Sequence, residues 1–141
     1  MQMGRTVLGI VAGLVAMWLV TMGVEMAGHA LYPPPPGLDP RDPAQVAQVM
    51  AAMPTGAFAL LVLAWTLGAF TGAAVAARIA FHANAAAIAI GLVVMTGVVA
   101  MIVMVPDHPT WVAALGLLLP VPAALLAARL FARPRKGLPK L

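Results

Sequence analysis

From Val7 to Val24 the chain carries no charged side chain, and three further runs of the same kind extend from Thr55 to Ala77, Ala85 to Val105 and Trp111 to Ala128. Each is long enough, as a helix, to cross a hydrocarbon layer of about 30 Å. Lipid supplies no water for unpaired amides and carbonyls, so runs of this length must satisfy their backbone internally. Few folds other than a helical membrane bundle meet that condition. Composition agrees: 63% of residues are hydrophobic and 9% charged, with a mean hydropathy of +1.01. A soluble domain would scatter charges along every amphipathic element, whereas here eight basic and four acidic residues cluster between the apolar runs.

The expected fold is all-α, an integral membrane four-helix bundle forming a single membrane domain over residues 1–141. Its spans lie at about 7–31, 55–77, 85–105 and 111–130, with a connector and short helix over 32–54 and a basic tail over 131–141. Gly28-His29-Ala30 has the small-x-small look of a signal-cleavage site. The apolar run before it exceeds a signal core of roughly 7–15 residues, so span one is expected to be retained.

Tyr32 to Pro43 is too rich in proline to be helical, since proline lacks the amide donor and holds its predecessor extended. Asp42-Pro43-Ala44-Gln45 then reads as a helix start, with Asp42 as N-cap, Pro43 at the first helical position and Gln45 placed for a capping-box bond. Val46, Val49, Met50 and Met53 recur at helical spacing, giving an amphipathic helix of about ten residues that is too short to span and suits the membrane surface or the end of the bundle. In the fourth span, Pro120 and Pro122 remove two amides within one turn and must kink or open the helix.

Basic residues divide by side. Arg5, Arg78, Arg129, Arg133, Arg135, Lys136 and Lys140 fall at one face of the bundle and Arg41 alone at the other. The positive-inside rule then places both termini in the cytoplasm and the connector outside. The acids Glu25, Asp39, Asp42 and Asp107 fall on the external side, with His29 and His108. Usage of Ala, Gly, Val, Pro and Arg with few lysines points to a GC-rich bacterial genome, hence to the inner membrane.

Glu25 and His29 lie four residues apart and share a helical face with Thr21, Met22 and Trp18, a face expected to turn into the protein. Carboxylate plus imidazole suits a divalent metal such as zinc, or a proton site, and Asp107 and His108 on the loop before span four would complete it. The plainer reading has Glu25 end the span by accepting a hydrogen bond from His29 or Tyr32, and Asp107-His108 form a polar turn that caps the fourth helix. Methionines at Met22/Met26, Met50/Met53 and Met101/Met104 have a chemistry that suits copper(I), but thioethers also fill irregular gaps between packed helices, the reading preferred for them.

Gly9-x-x-x-Gly13 and Gly68-x-x-x-Gly72 mark faces where helix backbones approach closely, within the chain or against a second membrane protein or copy. With neither cysteine nor serine present, thiol and serine nucleophiles, disulfides and thiolate metal sites are excluded. His82, on the turn between spans two and three, is expected to be isolated and solvated. The positive charge adjoins the spans and forms no stripe for nucleic acid; its natural partner is the lipid bilayer. The sequence therefore favours a non-catalytic accessory or interaction subunit with no cofactor, and as an alternative a protein that binds or translocates metal ions or protons through Glu25, His29, Asp107 and His108.

Overall fold

A computed structural model describes residues 1–105 and 107–133; Pro106 and the tail residues Arg135, Lys136 and Lys140 lie outside the described residues. Among the described residues there are six helices and no strand: α1 (Gln2–Leu31), α2 (Val46–Ala52), α3 (Thr55–Ile79), α4 (Ala83–Met104), α5 (Thr110–Leu118) and α6 (Pro120–Phe131). α1, α3, α4 and the α5–α6 pair are long and apolar enough to cross a membrane, as a multi-pass membrane protein requires.

The helix boundaries follow the local chemistry. The four prolines after Tyr32 stop α1, and Pro54, extended at ψ 153°, launches α3. α5 and α6 part at Leu119, one residue ahead of Pro120. The bonds from Leu119 N to Leu115 O and from Ala123 N to Leu119 O survive on either side, so the prolines open the ladder locally without ending the right-handed path.

α2 begins later than the capping pattern implies. It covers seven residues with Gln45 as N-cap, and the stretch before it is a set of turns. The Asp42 carboxylate accepts bonds from Ala44 N at 3.0 Å and from the Gln45 side chain at 2.7 Å, while the Gln45 amide oxygen accepts from Asp39 N at 2.9 Å. Asp42 and Gln45 therefore pair with each other instead of closing a capping box, which delays the helix to Val46.

α3 is the central helix, packed against α1, α4, α5 and α6, whereas α1, among the described helices, packs on α3 and α4. The core has two parts. Toward the termini it is built largely of alanine, including Ala73, Ala76, Ala87, Ala124 and Ala127 around Ile90. Toward the connector it is built of Phe58, Val62, Trp65, Val94, Val98 and Val112. Small residues let helix backbones approach closely, and large ones fill the space between them by interdigitation.

Gly9, Gly13, Gly68 and Gly72 are all buried at the crossing of α1 and α3. A Cβ at Gly13 would stand 2.6 Å from Gly72 O, and one at Gly72 would stand 2.7 Å from Gly13 O. The two helices thus meet backbone to backbone inside one chain. Near the termini, the Thr6 hydroxyl accepts from His82 N at 3.3 Å and lies 3.5 Å from His82 Nδ1. Although exposed, His82 is therefore not isolated: it ties the start of α1 to the α3–α4 turn.

Candidate functional site

The helical face carrying Glu25 is split by the packing. Trp18 is 58% exposed and Met22 38%, so both point outward and not into the protein as the shared face implies. Thr21 turns the other way and donates to Ala64 O of α3 at 3.4 Å. The reason is rotational: α1 packs chiefly on α3, and in this part of the helix the strip through Thr21 and Gly28 is the one that meets it.

Beyond Met17, α1 contributes no further side chain to either core cluster. At this end it touches α3 through Gly28 against Leu60, and a cavity of about 230 Å³ opens beside it. Glu25, Gly28 and His29 of α1 form one wall; Ala57, Phe58, Leu60 and Leu61 of α3 and Met101 of α4 form another. Tyr32, Pro34 and Pro40 of the connector, Val49, Met50 and Met53 of α2, and His108 complete the enclosure. The role of α2 follows from this arrangement. Val49, only 6% exposed, is its buried anchor, and Met50 and Met53 cover the space that α1 leaves open.

Two side chains at the rim are held firmly. The His108 ring meets Phe58 edge to face with centroids 6.3 Å apart, and its Nδ1 lies 2.7 Å from Val105 O. A carbonyl oxygen only accepts, so Nδ1 carries the proton and, in the neutral ring, Nε2 is the basic nitrogen. The Tyr32 hydroxyl sits over Gly56, where a Cβ would collide with it, which fastens the end of α1 to the first turn of α3.

Of the four residues expected to form a site, Glu25, His29 and His108 line this one cavity; Asp107 is exposed and outside the lining. Nor does Asp107 cap the fourth span, because Pro109 occupies the N-cap of α5 with no side-chain cap bond. Among the described residues no three His, Asp or Glu side chains come close enough to hold one metal ion. The methionine pairs divide in the same way as the α1 face: Met50, Met53 and Met101 reach the cavity, whereas Met22, Met26 and Met104 point outward.

Sequence reasoning missed the α3 wall. Ala57, Phe58, Leu60 and Leu61 read as ordinary residues at the start of a span, and nothing in their identity marks them as lining residues. The comparisons add no relative: among protein families, curated proteins and solved structures, none matches the chain.

Proposed function

We propose that the chain is a non-catalytic accessory protein of the bacterial inner membrane, with both termini cytoplasmic, whose working part is the cavity at the connector end, a small binding chamber on the external side. The observation that carries this reading is the convergence of Glu25, His29 and His108, from two separate segments, on a single apolar enclosure roofed by α2 and the connector. Ligand sites are typically concave, mostly apolar and furnished with a few polar groups. The lack of serine and cysteine and the absence of a phosphate-binding loop support binding over covalent catalysis. The charge bias of the loops supports the orientation.

Native mass spectrometry of the full chain, released from membranes in uncharged detergent, tests this reading against the Ala57→Trp variant, which fills the cavity. The expected result is a small-molecule adduct on the wild-type chain that the variant lacks. Identical spectra for the two, with both chains folded, would remove the cavity as the working part.

A further inference from the structure

We propose that the cavity takes a primary organic ammonium ion with a compact hydrocarbon body; this rests on reading the cavity as a binding chamber. Beside the Tyr32 hydroxyl and the His29 imidazole, which can also donate, the lining carries two groups suited to accept from a cationic head. Glu25 offers a carboxylate, which only accepts hydrogen bonds, and His108 offers Nε2 as an acceptor because its Nδ1 proton is committed to Val105 O at 2.7 Å. His29 adds a second imidazole, and among the described residues neither lysine nor arginine lines the cavity. An anionic head would meet a carboxylate and no fixed cation. An ammonium group supplies three N–H donors and the opposite charge to Glu25, and charge-assisted bonds of this kind are the strong ones. The Tyr32 ring offers it an aromatic neighbour as well.

Geometry favours a molecule over a bare ion. A metal needs three or more donors within about 2–2.6 Å of one point, and among the described residues no three His, Asp or Glu groups approach that closely. A ligand with its own extent does not require such convergence: its head pairs with Glu25 while its body lies against Phe58, Leu61, Met50 and Met101. A cavity of about 230 Å³ falls below the roughly 300–1,000 Å³ of drug-sized pockets, which calls for a short alkyl or single-ring body. Pairing also offsets the cost of holding a carboxylate in an apolar cavity whose lining, among the described residues, includes no lysine or arginine.

Isothermal titration of the full-length protein in uncharged micelles with n-hexylammonium, n-hexanol and hexanoate tests the proposal. Hexylammonium is expected to bind saturably and hexanoate not to bind. Glu25→Gln should weaken hexylammonium by about tenfold or more. Asp107→Asn, outside the lining, should leave its affinity unchanged, and Ala57→Trp should abolish binding. Glu25→Asp keeps the charge and should retain affinity within a few-fold, which serves as the second variant where Glu25→Gln fails to fold. If hexanol or hexanoate binds as well as hexylammonium and Ala57→Trp abolishes it, the ammonium preference is overturned while the chamber stands. If hexylammonium is indifferent to both Glu25→Gln and Ala57→Trp, both readings fall. Zinc that displaces hexylammonium and loses its own affinity in His29→Ala would assign the cavity to a metal ion and overturn the proposal.

Discussion

Gly13 and Gly72 illustrate how much can rest on a missing methyl group. Each would place a Cβ within 3 Å of the other's carbonyl oxygen, closer than real Cβ contacts come, so any side chain here must push α1 and α3 apart. Gly13→Leu is expected to destabilise the protein by about 1–3 kcal/mol or more through overpacking, read as a lower thermal midpoint in detergent. Gly23→Leu, on an open face with nothing within 4 Å, should leave the midpoint unchanged. The Gly-x-x-x-Gly spacing was legible in the sequence; that the two motifs meet each other was not, because spacing marks a face without naming its partner. Glu25 and His29 present a similar case. Their spacing of four places them on one strip of α1, but His108 joins them only through the closure of the bundle.

Among the elements, α2 is the one whose form depends most on a few polar contacts. Its start is set by the turn in which Asp42 accepts from Ala44 N and from the Gln45 side chain. Asp42→Ala removes both bonds and is expected to cost α2 about 1–2 kcal/mol of local stability. Amide hydrogen exchange over residues 46–53 checks this: exchange there should accelerate while that of α3 and α4 stays as it was. The same pair explains why sequence reasoning started the helix too early, since Asp-Pro-x-Gln fits a capping box and a side-chain-closed turn equally well. By contrast, the split of the fourth helix at Leu119 was readable directly, because proline's missing amide acts locally and no tertiary contact can restore it.

Across the whole molecule, the proposed orientation rests on the charge bias, and the cysteine-free sequence makes it straightforward to measure. A single cysteine introduced at Asp39 should react with a membrane-impermeant maleimide in intact cells, and one at Ala132 only after permeabilisation. The reverse pattern would invert the molecule and place the cavity on the cytoplasmic side. The core changes composition along the bundle: alanine dominates near the termini, and Phe58, Trp65 and the valines fill it near the connector.

The sequence by itself determined the four long apolar stretches, their helical character, the break at the prolines of the fourth and the clustering of polar residues between them, because an apolar run, a proline or a charge acts through solvent and backbone within a few residues of its own position. Only the tertiary structure decided that Trp18 and Met22 face outward and that His108 rather than Asp107 joins Glu25. It also decided that Phe58 and Leu61 serve as a wall of the cavity. Those outcomes depend on which side of each helix meets a neighbour, and in α1, apolar nearly all the way round, no polar stripe marks that side in advance. The Glu25–His29 strip was visible from the start, and the enclosure around it exists only once α2, α3, α4 and the connector are in place.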